Sequence, residues 1–198
     1  LDFYCFLQGL NRFRVKHVTI AGKGEPLLNR DIIYFCNALE ERRIHFTITT
    51  NGTHLADFID DLDGFKYLDT IRVSVVDESN LWMISYFLHH KKVRFHVYPK
   101  VNETTKIKQA KTFSVNGYEG DLPYGFNKIK HCYVPFNFFI VNTDGTVNPC
   151  CECNVSVGNA FMAPFWNLKP FRTFRKKALD MKHLTNCDCP NCGHHAKF

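Results

Sequence analysis

Short β-branched runs alternate with helical runs through the first half of the chain, and no other feature restricts the fold as much. Val18 to Ala21, Ile44 to Thr49, Ile71 to Val76 and Val93 to Tyr98 read as strands. Between them, Asp31 to Arg43 carries Ile32, Ile33, Cys36 and Leu39 on one helical face, with Asn29 as its expected N-cap. Leu55 to Leu62 and Leu81 to His89 read as further helices, and Phe3, Phe6, Leu7 and Leu10 give helical spacing to Asp2 to Phe13. Repeated βα units imply a parallel sheet. Right-handed crossovers put the helices on one face of a curled sheet and on both faces of an open one. Either way, ligands bind at the carboxyl ends of the strands. Those ends carry Gly24-Glu25, Thr50-Asn51-Gly52, Ser74 with Asp77, and Asn102, a set that could line one rim.

The alternation weakens after Asn102, and a different unit begins near Cys132. Phe136 to Val141 and a strand from Thr146 flank Asn142-Thr143-Asp144-Gly145, a strong hairpin signal. Leu168 to Met181 reads as a basic helix. Seven of the nine cysteines lie between Cys132 and Cys192: these two, Cys150, Cys151, Cys153, Cys187 and Cys189. Such clustered, ligand-like spacing points to a soft metal site in a reducing cytoplasm rather than to disulfides. Two C-x2-C pairs, Cys150 with Cys153 and Cys189 with Cys192, suit tetrahedral zinc but leave Cys132 idle. An iron–sulfur cage that uses Cys132, Cys150 and a distant C-x2-C pair is the other reading.

The length of 198 residues fits one domain with a small appendage. The net charge of +6 is modest, and the basic run from Phe171 to His183 reads as a solvated helix face rather than a nucleic-acid module. No apolar run approaches the ~20 residues of a membrane span, and there is no signal peptide, so no membrane role is expected.

The spacing C-x12-G-x4-C over Cys132, Gly145 and Cys150, followed by C-x2-C, resembles the auxiliary-cluster domain of radical S-adenosylmethionine (radical SAM) enzymes. That domain is called SPASM or, in a shorter form, twitch. The first half resembles the partial barrel of the same superfamily. In VTIAGKGEPLLNRD, Lys23-Gly24-Glu25-Pro26 matches the GGEP segment at three of four positions. ITTNGTHL looks like the third strand and its turn, IRVSVVD like the fourth, and Val101-Asn102 falls where the fifth contacts SAM. The resemblance implies an α/β fold: a partial (β/α)6 TIM-like barrel lacking its first strand over residues 1–128, then a β-hairpin and helix SPASM/twitch domain over 129–198.

Carried over residue by residue, the resemblance implies SAM contacts at Gly24, Glu25, Pro26, Thr50, Asn51, Ser74 and Asn102. Glu25 and nearby backbone acceptors would receive the SAM ammonium, and Ser74 would approach the ribose or carboxylate. It implies Cys132, Cys150, Cys189 and Cys192 as ligands of one auxiliary [4Fe–4S] cluster, with Cys187 as a substitute for Cys189. Cys153 is read as free, and the remaining thiols are too few for a second auxiliary cluster.

One departure matters. The superfamily's C-x3-C-x2-C loop, which holds the SAM-binding [4Fe–4S] cluster, is not in this chain, and Cys5 and Cys36 sit on predicted helix faces. The chain starts with Leu, so the expectation is a missing N-terminal segment that carries the first strand and this loop. Catalytic residues stay unassigned. The implied activity is that of a radical SAM oxidoreductase or maturase. A 5′-deoxyadenosyl radical would abstract hydrogen from a peptide or small-molecule substrate. Net oxidation or crosslinking would follow, with the auxiliary cluster as electron acceptor. Family members with this domain modify ribosomal peptides, protein side chains and aminocyclitols. The implied cofactors are SAM and [4Fe–4S] clusters, and the implied partners are the substrate and an electron donor such as flavodoxin or ferredoxin. Two alternatives stand: a zinc-ribbon-containing binding protein, and a catalytically inactive radical SAM-like protein.

Overall fold

The structure is a computed structural model that describes residues 6, 7, 10, 14–22, 24–97, 134–150, 153–161 and 165–179. It divides into two compact units, Val15–Gly120 and Leu1–Arg14 together with Asp121–Phe198.

The first unit is built on four parallel strands: β1 (His17–Ile20), β2 (His45–Thr50), β3 (Leu68–Val75) and β4 (Val93–Val97). Their spatial order follows the chain, β1-β2-β3-β4. That order never reverses, as a barrel wall requires and a doubly wound sheet does not. The crossovers are α1 (Ile32–Glu41), α2 (Leu55–Asp63) and α3 (Trp82–Phe87). Further strands of the expected barrel fall on residues outside those described.

The sheet has two unlike faces. Phe46, Ile48, Ile71, Val73, Val75, Val93, Phe95 and Val97 alternate along three strands and are all nearly inaccessible. Their register partners share the face: Ile48 with Ile71, Val73 with Phe95, and Val75 with Val97. The helices supply Cys36, Leu39, Leu55, Leu62, Met83 and Phe87 to the same core. Burying one such side chain contributes about 1.5–3 kcal/mol, so this layer is the main source of cohesion in the unit. Glu40 adds a polar tie. Its carboxylate accepts the backbone N–H groups of Lys66 (2.9 Å) and Tyr67 (2.8 Å) at the entry to β3.

The helix start departs from expectation. Asp31, not Asn29, occupies the N-cap of α1 and makes no side-chain cap bond. The Asn29 side chain instead accepts from the Asp31 N–H at 3.0 Å, closing a turn that leads into the helix.

In the second unit, β5 (Ile140–Val141) and β6 (Thr146–Asn148) form the expected hairpin, and β7 (Gly158–Asn159) adds antiparallel to β6. Gly145 sits in the turn at φ +81°, which a side chain rarely adopts. Asp144 accepts from the Thr146 N–H (2.9 Å) and hydroxyl (2.6 Å). Those bonds hold its carboxyl below the ordinary range. The strand expected over Phe136–Val141 is shorter than predicted, because Val134–Asn137 forms a helical turn, α4. Pro135 suits the first turn of a helix, and an apolar run alone does not separate helix from strand. The basic helix is α5 (Lys169–Leu179), with Pro170 in its first turn. Phe171, Phe174 and Ala178 bury against Val147, Cys150, Cys153, Val157 and Phe165, and Phe6 packs on the same core.

Two outcomes follow. Cys36 is fully buried, and burial pushes its thiol up to about 12 from an ordinary 9.0. Burial thus favours the neutral thiol. The stability it protects is present below about pH 9 and is lost as pH rises toward 12. Iodoacetamide at pH 8 is expected to spare Cys36 in the native protein and label it in urea, as read by peptide mass spectrometry. Gly52 lies at φ +82°, and an added Cβ would meet Val73 Cγ1 at 2.9 Å and the Met83 sulfur. Gly52→Ala is therefore expected to cost about 2–4 kcal/mol by urea unfolding.

Candidate functional site

Glu25 joins the carboxyl ends of two strands. It follows the turn after β1 and caps the short 3-10 turn Pro26–Leu28 by accepting the Leu27 N–H at Oε1, 2.9 Å. The same oxygen accepts the Thr50 hydroxyl at 2.5 Å, and Oε2 accepts the Asn51 N–H at 2.6 Å. Thr50 Oγ1 in turn accepts the Gly52 N–H at 2.9 Å. The GEP segment and the TTNG turn, far apart in sequence, are thus one hydrogen-bonded rim. A carboxylate offers about four acceptor sites, so Oε2 retains capacity for one more donor. A Cβ built on Gly24 would meet nothing within 4 Å, so the backbone beside Glu25 faces open space. A half-buried anion with a spare acceptor site beside open backbone suits an ammonium donor, and this acceptor fits the amino end of SAM.

The remaining rim residues divide. Thr50 is in register with Val73 and shares the buried face, at 2% exposure. Ser74 is in register with His96 on the opposite face, half-buried. Asn102 lies outside the described residues. The opposite face of the sheet went unnoticed in the sequence. Thr49 pairs with Arg72, Arg72 with Arg94, and Ser74 with His96, so one whole face is polar. The signal was present: IRVSV and VRFHV alternate with period two, whereas strands covered on both sides read as continuous apolar runs. At the amino ends of the strands, the Asp69 carboxylate lies 2.8 Å from His45 Nδ1 and 3.6 Å from His17 Nε2. Among the described residues no group of three His, Cys, Asp or Glu side chains could hold a metal ion.

Of the expected cluster ligands, Cys150 is described. It is a buried cysteine at the end of the hairpin, within the apolar core of the second unit. Cys132, Cys187, Cys189 and Cys192 lie outside the described residues. Cys153, read as free in the sequence, is disulfide-bonded here. The Asn148 side chain donates to the Cys153 carbonyl at 2.7 Å and fixes the loop between them. A thiol held in a water-poor pocket of a thiol-rich segment fits a thiolate-ligated cluster by donor chemistry.

Residues 132–193 match the family model described as SPASM, an iron-sulfur cluster-binding domain. The match begins on Cys132 and ends one residue after Cys192. Two crystal structures share the fold of this chain. BtrN in complex with AdoMet and 2-DOIA superposes with a TM-score of 0.68 at 20% identity, covering 96% of this chain and 77% of that one. Selenomethionine BtrN in an open conformation gives 0.66, with the same identity and coverage. No curated protein matches the chain. The α/β parallel-sheet fold and the small C-terminal β/helix SPASM region, both expected from the motifs, are borne out.

The rim yields a measurable outcome. Thr50→Val removes the hydroxyl that serves Glu25 and the Gly52 N–H while conserving shape. A buried N–H is then left without its partner, at a cost of about 1–3 kcal/mol in urea unfolding. Thr50→Ser should recover most of the loss.

Proposed function

Taking as premise a radical-SAM-like chain with a C-terminal SPASM iron–sulfur domain, we propose that it serves a radical SAM oxidoreductase. The substrate is a peptide or small molecule that undergoes hydrogen abstraction and net oxidation or crosslinking. When bound, SAM and the clusters supply the radical chemistry. The chain's residues bind, orient and shield. Glu25 receives the SAM ammonium through Oε2, while its bonds to Leu27, Thr50 and Asn51 hold it in place. Gly24 leaves room beside it, Pro26 starts the turn that fixes it, Asn51 continues the rim, and Asn102 is a further SAM contact that the motif implies. Ser74, on the polar face with Arg72 and His96, reaches the ribose or carboxylate. Cys132, Cys150, Cys189 and Cys192 hold the auxiliary [4Fe–4S] cluster, with Cys187 able to replace Cys189. The other partner is a reductant such as flavodoxin or ferredoxin, and the compartment is the cytoplasm. Among the described residues no helix is long and apolar enough to cross a membrane.

The division into a barrel half (1–128) and a cluster half (129–198) belongs to the same proposal. It is supported by the compact unit that begins at Asp121, to which residues 1–14 also belong. The observation that carries the reading is the Glu25 rim in a chain whose C-terminal third matches an iron–sulfur domain.

The test uses full-length protein, reconstituted anaerobically with iron and sulfide and supplied with SAM and dithionite. 5′-Deoxyadenosine is expected by mass spectrometry. Glu25→Ala should raise the SAM concentration for half-maximal cleavage about tenfold, the equivalent of ~1.4 kcal/mol. Stoichiometric zinc without iron–sulfur absorbance would replace this reading with a zinc-binding module. A loaded auxiliary cluster with no 5′-deoxyadenosine would point to an inactive relative.

A further inference from the structure

Two arginines stand side by side on the polar face of the sheet. Arg72 of β3 is in register with Arg94 of β4, and Thr49 of β2 is in register with Arg72. All three are half-buried. Like charges opposite one another on neighbouring strands destabilise a sheet. Partial burial sharpens the repulsion, because less water screens it. A neutral side chain at either position, such as the Thr49 and Ser74 of the same face, would avoid that cost. A local conflict in an otherwise consistent sheet marks a functional position.

The surroundings say what the pair is for. The helices bury the other face of the sheet, which leaves this one to line the space that a curled sheet encloses. Arg94 Nη1 donates to the carbonyls of Lys91 (2.7 Å) and Val93 (2.8 Å), so that guanidinium is tied to the amino end of β4. Arg72 stands beside it, and Ser74 follows two residues later on the same face, toward the carboxyl ends where ligands bind. The Asp69 carboxylate, three residues before Arg72 on β3, is engaged by His45 at 2.8 Å and by His17 at 3.6 Å. A guanidinium is a planar fork of donors that matches the oxygens of a carboxylate or phosphate two at a time.

We infer that Arg72, with Arg94 and the Thr49 hydroxyl beside it, receives an anionic oxygen group of the substrate, a carboxylate or a phosphate. Arg72 is then a specificity residue that holds the anionic end of the substrate against the sheet. The inference rests on the radical SAM reading above and narrows its substrate to a molecule that bears such a group, rather than a neutral or cationic one. The carboxylate of SAM is the other source of the same chemistry, and the test separates the two.

The experiment is isothermal titration of full-length protein with inorganic phosphate, with and without saturating SAM. Wild type should bind phosphate in both conditions. Arg72→Gln should weaken that binding about tenfold, and Arg72→Lys, which keeps the charge but not the fork, should weaken it less. Absence of binding, or binding indifferent to Arg72→Gln, overturns the inference. So does phosphate binding that SAM abolishes, joined to weaker SAM binding in Arg72→Gln, because the guanidinium then serves the cofactor. Protein that binds phosphate through Arg72 yet never yields 5′-deoxyadenosine with SAM and dithionite would defeat the radical SAM reading while upholding the anion site. Should Arg72→Gln fail to fold, wild type decides alone. Phosphate should then slow phenylglyoxal labelling of Arg72, read by peptide mass spectrometry, and leave the exposed Arg30 unaffected. Equal labelling of Arg72 with and without phosphate overturns the inference.

Discussion

The Glu25 carboxylate is the constraint on which the first unit's site depends. It draws the turn after β1 onto the end of β2 through the Thr50 hydroxyl and the Asn51 N–H. Without it, two strand ends that carry the most informative residues would be independent loops. With it they form one edge, and Gly52 follows at a backbone angle that leaves room for Met83 and Val73 beneath. The bonds that orient Glu25 leave one acceptor site on Oε2. The same geometry therefore serves packing and recognition.

Around that edge the sheet is asymmetric. Its buried face is aliphatic and aromatic, and its other face carries Arg72, Ser74, Arg94 and His96 in register across β3 and β4. A sheet with helices on one side and charged side chains on the other is what a curled wall around a ligand space requires. The strand order without reversal agrees with this. Arg94 donates to the Lys91 and Val93 carbonyls, so this face is partly ordered by its own backbone.

Much of this could be read from the sequence, and the exceptions have physical causes. The βα alternation located the four described strands of the first unit, because their β-branched runs are bounded by turn residues. GEP and TTNG pointed to the rim, but their direct bond is a tertiary contact that local sequence does not encode. Asn29 was the expected cap, and Asp31 takes that place because the Asn29 side chain closes a turn before the helix begins. FNFFIV was read as a strand because an apolar run does not reveal that Pro135 will start a helical turn. The cysteine spacing located the second unit, and the match over residues 132–193 agrees with it.

The two units differ in chemistry. One offers a hydrogen-bonded rim suited to a charged amino group, and the other an apolar core that encloses Cys150 and is walled by α5. Mössbauer spectroscopy of this chain, reconstituted anaerobically with 57Fe, tests that account most directly. The doublet of an oxidised [4Fe–4S] cluster is expected, and it should be lost when Cys150 is replaced by Ala. A chain that binds zinc and retains no iron, or whose iron signal is indifferent to Cys150→Ala, would contradict it.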